Sequence, residues 1–334
     1  MTRIVSYNIL AGGYSLREKG ARRVEQLVRI MRSANPDIVG VAEAIHPNMV
    51  QKPTVIEEIA ETLGMQCIPG GEPTGCKDYQ LALLTRLPVV YIKRHARPGI
   101  MARPLLEVCV EEANGEHLTV FVTHLSAAFN RGRGGGHIRM REVEEILRIM
   151  APLRAEGKPH LLMGDFNSLA PGDPFKASFL LRYVVRLDRK KVNPKLADGH
   201  PHLNSVVPRR LRFLKPLLRT ISDSDLLCRF FDAAAYFYAP RGCIRRLQAY
   251  YVDSFRRMYP HEWGFTCPAS APAGRIDYIF TSPALADRLT DCYVIVEGEG
   301  LPGSHASDHL AIAAELGMRV SSKENNEVAT ALKA

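Results

Sequence analysis

The sequence predicts an α/β (α+β) core on two observations: short runs rich in Val, Ile, Leu and Thr recur along the chain, and amphipathic stretches alternate with them. A third observation interrupts this pattern, because residues 175–258 read as mainly helical and basic. Arg3–Ile9 is the first strand-like run, and Glu18–Arg32 follows with helical spacing, Leu27, Ile30 and Met31 forming one apolar stripe. The turn at Asn35-Pro36-Asp37 stops that helix before the strand Ile38–Glu43. Thr54–Leu63 reads as a second helix, Leu81–Thr85, Leu105–Glu111 and Leu118–Thr123 as strands, Ile138–Met150 as a third helix, and His160–Asp165 as a strand. Ile276–Phe280, Cys292–Val296 and Leu310–Leu316 close the pattern as further strands. Several runs are almost wholly apolar, as expected of strands buried on both faces, in two packed sheets or one sheet covered by helices.

Within the interrupting segment, Phe175, Phe179, Leu180, Tyr183, Val184 and Leu187 fall on one helical face, and Arg182, Arg186, Arg189 and Lys190 on another. Ser222-Asp223-Ser224-Asp225 offers N-cap residues ahead of a helix over 226–238. Residues 175–265 hold 18 Lys and Arg against 7 Asp and Glu, a local +11, whereas the whole chain carries +9. All the basic excess therefore sits in one segment, which suits a nucleic acid or an anionic lipid surface. Solubility, a cap over the core and self-association are the plainer readings.

A chain of 334 residues, 46% hydrophobic and 24% charged, is neither disordered nor fibrous. Its 7 Cys are scattered, odd in number and lack any C-x-x-C pair, so neither a zinc module nor a disulfide framework is indicated and a reducing compartment is expected. The opening M-T-R-I-V-S-Y-N has no leader character, and no run approaches the roughly 18 apolar residues of a spanning helix. A cytoplasmic protein with no transmembrane segment is the expectation, with one domain over 1–318 and a loose polar tail over 319–334.

Polar residues repeatedly close the apolar strands. Asn8 ends the first and Glu43 the second, His124 follows T-V-F-V-T, and Asp165 and Asn167 follow H-L-L-M-G. Asp277 lies in R-I-D-Y-I-F, and Asp308-His309 precede L-A-I-A-A. Strand ends at one edge of packed sheets converge, so this set can build one pocket of carboxylates, amides and imidazoles. That chemistry suits metal-assisted attack of water on a phosphoester. The hard oxygens of Glu43, with Asn8 and Asp308 in support, fit Mg²⁺, or Mn²⁺. Asp165 can orient or deprotonate water, and the Asn167 amide can donate to a developing oxyanion. His124 and His309 can neutralise the phosphate, Asp277 fixing the tautomer of His309.

In order, S-Y-N-I, V-A-E, L-A-L-L-T-R, T-H-L, G-D-F-N, R-I-D-Y-I and S-D-H resemble the motifs of the endonuclease/exonuclease/phosphatase superfamily. This is the fold of pancreatic deoxyribonuclease, exonuclease III-type enzymes, neutral sphingomyelinases and inositol polyphosphate 5-phosphatases. The resemblance covers nearly the whole chain apart from the basic segment. It implies a four-layer α/β sandwich, two mixed β-sheets packed face to face with outer helices. It also implies a hydrolase with Glu43 as main metal ligand, Asp165 as water-positioning base, Asn167 as phosphate contact and Asp277–His309 as a dyad. The substrate classes it leaves open are DNA or RNA, a sphingomyelin-like phospholipid headgroup, and soluble phosphate esters; an inactive binding scaffold is the alternative outside catalysis. The tract from L-Q-A-Y-Y-V-D to R-I-D-Y-I-F resembles the sphingomyelinase-like and general hydrolase branches more than the abasic-site nucleases.

Some positions depart from the common pattern. Ala42 precedes Glu43 where many relatives have Gln, and Leu310-Ala311 follow S-D-H where many have an apolar residue and Pro. Asp78 is the candidate carboxylate to orient His124. The glycine-rich loop Arg131–His137 can cradle a phosphate with help from Arg133, or be a plain turn, and Arg103 and Arg139 are candidates for the pocket rim. His46, His95, His200, His202 and His261 lack ligand spacing, and Trp263 and Phe265 are expected to cover the apolar edge of the core rather than stack a base.

Overall fold

The computed structural model describes residues 1–16, 18, 20–48, 52–73, 78–128, 135–190 and 213–317. Two six-stranded mixed sheets are the frame. The first has the order β11-β14-β1-β2-β4-β3, built from β1 (Thr2–Asn8), β2 (Ile38–Ile45), β3 (Gln66–Pro69), β4 (Gln80–Thr85), β11 (Leu289–Ile295) and β14 (Ala311–Leu316). The second, β5-β6-β7-β8-β10-β9, comprises β5 (Val89–His95), β6 (Leu105–Glu111), β7 (His117–His124), β8 (His160–Asp165), β9 (Val252–Asp253) and β10 (Asp277–Thr281). A small ribbon of β12 (Glu297–Gly298) and β13 (Leu301–Pro302) precedes the last strand.

Three apolar layers hold the frame. Alternation along each strand sends one set of side chains to each face. Ile4, Ile38, Leu83, Val108, Val120, Leu161 and Ile312 fill the space between the sheets. Val5, Val39 and Ala313 on the far face of the first sheet pack against α1 (Val24–Arg32) and α2 (Val55–Leu63). On the far face of the second sheet, Leu105, Phe121 and Phe280 pack against α3 (Gly136–Ala155). The result is the expected four-layer α/β/β/α sandwich. Helix α2 starts at a capping box, Thr54 accepting from the Glu57 N–H while the Glu57 carboxylate accepts from the Thr54 N–H, and ends at Gly64 in the left-handed region.

The interrupting segment is helical where described: α4 (Ala177–Arg189), α5 (Lys215–Asp223) and α6 (Asp225–Tyr238) share a small core of Leu181, Val184, Val185, Leu218 and Phe231. Ser224 caps α6, its side chain accepting from the Leu227 N–H. Residues 242–258, expected to belong to this basic excursion, return to the main body instead. Cys243, Ile244 and Leu247 of α7 (Gly242–Gln248) are buried beside α3, and β9 pairs with β10. Among the described residues no helix is long and apolar enough to cross a membrane. Arg133, most of its glycine-rich loop, Cys76, His200, His202 and the tail 319–334 lie outside the described residues.

Candidate active site

Strand register brings the strand-end residues together. In the second sheet β7 and β8 run parallel with His124 opposite Asp165, and β8 and β10 run antiparallel with Asp165 opposite Asp277. Gly164 allows the first pairing, because at φ +145 a Cβ there would lie 1.8 Å from the Thr123 carbonyl oxygen. In the first sheet Asn8 ends β1 beside Ala42 of β2, and His309 leads into β14, which flanks β1 on its other side. Glu43 sits where the β2–β4 register shifts, at φ 53, an uncommon backbone for a non-glycine residue that marks a local bulge.

Asp165 is the centre of the arrangement. Asn8 Nδ2 donates to its Oδ2 at 3.1 Å, the Asn167 N–H to its Oδ1 at 2.8 Å, and Asn167 Nδ2 to Oδ2 at 3.3 Å. His124 Nε2 lies 3.4 Å and His309 Nε2 3.8 Å from the same Oδ2. His309 Nδ1 is 2.9 Å from Asp277 Oδ2, the acid–imidazole pair anticipated from the sequence. Glu43 Oε2 accepts from the Ala11 N–H at 2.8 Å, and its Oε1 lies 3.5 Å from Asn8 Nδ2. Asp308 is part-exposed beside His309, its backbone oxygen accepting from the Ala269 N–H.

Electrostatics separate the two imidazoles. Burial, Arg103 and the charge of His309 hold His124 well below the usual histidine range. Burial pushes His309 the same way, but Asp277 first, then Cys267, Asp165 and Asp308, keep it well above that range. Burial foremost, reinforced by Asp277 and opposed by His309, raises Asp165 to about 7. A histidine whose folded pKa exceeds the unfolded value of 6.5 stabilises the fold fully below 6.5, and that support is lost as pH rises through the folded pKa. Asp277→Asn is therefore expected to cost most stability at mildly acidic pH and least at alkaline pH. Thermal melts of chelator-treated protein across that range check the sign, and a constant gap would contradict the pairing.

Residues not singled out in the sequence complete the support. Ser307 Oγ donates to the Asn8 carbonyl oxygen at 2.7 Å, tying the S-D-H turn to β1. The Thr266 hydroxyl accepts from the Ile276 and Asp277 N–H groups, and the Thr266 carbonyl accepts from the Leu310 N–H. The Arg23 guanidinium donates to the carbonyls of Ile9, Leu10, Tyr14 and Ala306, fixing the turn after Asn8.

Three expectations are corrected. Asp78 pairs with Arg103 Nη2 at 2.8 Å rather than with His124, whose Nδ1 has no hydrogen-bond partner among the described residues. Arg103, itself buried, donates to the His124 carbonyl oxygen and so braces that strand end. Arg139 is wholly buried, donating to Ser168 Oγ and the Ser126 carbonyl, because the α3 start lies inside the outer layer; it does not reach the rim. Trp263 remains 47% exposed, stacked on buried Phe265 and tilted against Phe179, so it covers the apolar edge only in part.

Two groupings present ligand atoms for a cation. Among the described residues, Asp165, Asp277 and His309 each offer one within 4.8 Å of the others. His309 Nδ1 is already engaged by Asp277, whose charge favours the imidazolium form, and this disfavours the ring as a ligand. Glu43 is half-buried, and among the described residues no lysine or arginine forms an ion pair with it. A half-buried carboxylate without a cationic partner, beside an amide and near a second acid, is a donor set that fits a hard divalent ion.

The family model described as Endonuclease/Exonuclease/phosphatase family matches residues 5–309, from β1 to the S-D-H turn. The chain belongs to the endonuclease/exonuclease/phosphatase family. Among solved structures, this family member resembles an endonuclease/exonuclease/phosphatase family protein from Leptotrichia buccalis, at 15% identity and TM-score 0.57, covering 95% of this chain and 100% of that one. An AP endonuclease from Archaeoglobus fulgidus matches at 15% identity and TM-score 0.54, over 95% and 100% of the two chains. A 3′ phosphatase from Neisseria, bound to a product DNA hairpin, matches at 18% identity and TM-score 0.52 with the same coverage. Comparison with curated proteins yields no significant match. Members of the endonuclease/exonuclease/phosphatase family are hydrolases of phosphoester bonds, and the likenesses at this identity establish the shared fold.

Proposed function

We propose that the chain is a divalent-metal-dependent phosphoesterase that hydrolyses a phosphodiester or phosphomonoester by direct attack of water. The observation that carries this reading is the meeting of Asn8, His124, Asn167 and His309 on the Asp165 carboxylate, with Asp277 behind His309. Glu43, assisted by Asn8 and Asp308, would hold Mg²⁺ or Mn²⁺. Bound there, such an ion polarises a phosphate oxygen and offsets the charge of the ester.

The protein's own groups supply the rest. Asp165, with a pKa of about 7, accepts the proton of a water aligned by Asn167 and Asn8. His309, kept charged by Asp277, donates to the phosphate as negative charge grows there. His124, held well below the usual histidine range, keeps Nε2 3.4 Å from Asp165 Oδ2 and helps to orient that carboxylate. Retention of this many buried ionisable groups around one carboxylate favours turnover over an inactive scaffold, since burying them carries a stability cost that packing alone does not require.

The substrate is an anionic phosphoester. The AP endonuclease and the 3′ phosphatase that share this fold make a nucleic-acid ester the first class to assay, followed by phospholipid headgroups and soluble phosphates. The test is hydrolysis of a generic aryl phosphodiester by wild type and Glu43→Gln with Mg²⁺ or with chelator. Glu43→Gln is expected to raise the Mg²⁺ needed for half-maximal rate by at least about 100-fold, since loss of a group that merely supports a ligand already costs roughly 10- to 100-fold. Undiminished hydrolysis in chelator would overturn the proposal. The same assay on DNA, RNA, sphingomyelin and inositol phosphates ranks the substrate classes.

A further inference from the structure

Helices α5 and α6 turn outward a face that the hydrolytic site does not use. Leu226, Phe230, Ala233 and Phe237 recur at helical spacing and share one side of α6. Phe230 is 66% and Phe237 79% exposed, and Leu226, Leu227 and Tyr238 are exposed beside them. Phe213, 74% exposed, precedes α5, and Leu217 on α5 is exposed as well. Seven of the fourteen large apolar side chains exposed among the described residues lie between Phe213 and Tyr238. This concentration is not loose packing: Cys228 and Phe231 on the opposite side of α6 belong to the buried side of the bundle, and Asp232 accepts from the Ser178 N–H and hydroxyl. Among the described residues, the helix is anchored from beneath and exposed above. At its C-terminal end the face runs into a groove of about 620 Å³ lined by Phe237, Tyr238, Pro240, Met140 and Gly136.

Charge decides what suits this face. Residues 175–265 carry a local +11, so a second copy would bring two strongly positive segments together. A nucleic acid would meet side chains without hydrogen-bond donors along the stripe, while Arg182, Arg189 and Arg219 behind it are engaged by Asp225, Asp223 and Asp188. An apolar stripe on a helix that also exposes Arg229, in a segment where Arg186 of α4 and Arg245 and Arg246 of α7 are exposed too, combines the two attractions of an interfacial helix, apolar burial and attraction to acidic headgroups.

We propose that the α5–α6 face seats the protein on an anionic phospholipid bilayer, with Leu226, Phe230 and Phe237 entering the boundary between headgroups and acyl chains. The seating is independent of the hydrolytic reading, since none of these residues belongs to the catalytic set. Its test is co-flotation of the full chain with phosphatidylcholine vesicles, with and without phosphatidylglycerol, comparing wild type with Leu226→Ser/Phe230→Ser/Phe237→Ser. Wild type is expected to float with the anionic vesicles and to retain part of its binding at about 0.5 M salt, where exposed charges are largely screened. The triple variant is expected to bind at least tenfold more weakly with unchanged hydrolysis of the aryl diester.

A second variant, Phe230→Trp with Trp263→Phe, keeps the face apolar and reports insertion directly through a blue-shifted emission on vesicle addition. Three results would overturn the seating: no flotation of wild type, as a nucleic-acid role would give; equal flotation of the triple variant; or a wild-type dimer that the triple variant dissolves into monomers. An unshifted emission from a floating Phe230→Trp protein would also overturn it.

Discussion

Replacing Asp165 with alanine is expected to lower turnover of a phosphodiester by about three orders of magnitude, combining a lost general base with loss of the group that aligns its neighbours. The expectation follows from how many partners end on this carboxylate. Asn8 Nδ2, the Asn167 N–H and Asn167 Nδ2 all donate to it, and both His124 and His309 lie within 3.8 Å. Because Asp165 is 2% exposed and its carboxyl is pushed up to about 7, ionising it works against the fold at neutral pH. The same substitution is thus expected to leave thermal stability close to wild type, its cavity offset by relief of a buried charge. Steady-state rates at saturating Mg²⁺, beside melting curves of chelator-treated protein, check the pair of expectations. Activity within tenfold of wild type would remove Asp165 from the chemistry.

The second large effect concerns Arg275. Its guanidinium is fully buried and bridges Asp253, at 2.6 and 2.7 Å, and Asp173, at 2.8 and 2.7 Å. Burial alone works against the charge, but Asp253 in particular, with Asp173, holds it firmly on. Arg275→Met strips two buried carboxylates of their shared cation, leaving Asp173 to Arg256 and Asp253 to the Arg256 N–H, and is expected to cost roughly 3–5 kcal/mol in urea unfolding. Asp173 is further held by Arg256 Nη2 at 2.8 Å, so the clamp joins the loop after β8, the end of β9 and the residues leading to Asp277. Combining Arg275→Met with Asp253→Asn and Asp173→Asn is expected to recover part of that loss. No recovery would show that the arginine matters through its packing and not through its pairs.

The main strands and their polar ends were legible in the sequence because both signals are local. An apolar run such as Leu118–Thr123 announces a buried strand, and its last polar residue is read directly. Gln66–Pro69 and Val89–His95 were not legible as strands, the first being very short and the second, at a sheet edge, carrying Lys93 and Arg94 among its apolar residues. The first helix begins at Val24 rather than Glu18 because Arg23 is drawn into the turn that carries Asn8. Asp78 illustrates the remaining limit: its neighbour is chosen by the fold, and Arg103 is the stronger partner for a carboxylate than a neutral imidazole. Ser307 and Thr266 act through backbone groups, so Ser307 is visible only as the first residue of S-D-H, and Thr266, nine residues before Arg275, carries no local signal.

The polar cluster belongs to neither sheet alone. Asn8 and Glu43 arrive on one, His124, Asp165 and Asp277 on the other, and the two halves meet across a seam where Gly40 leaves room for the Met163 side chain. A slip of either sheet past the other by about an ångström would part Asn8 from Asp165, since a hydrogen bond weakens steeply beyond its ordinary range. Reactivity in this molecule is therefore a gauge of how two slabs are docked, and it should falter under mild perturbation of the seam well before either slab begins to melt.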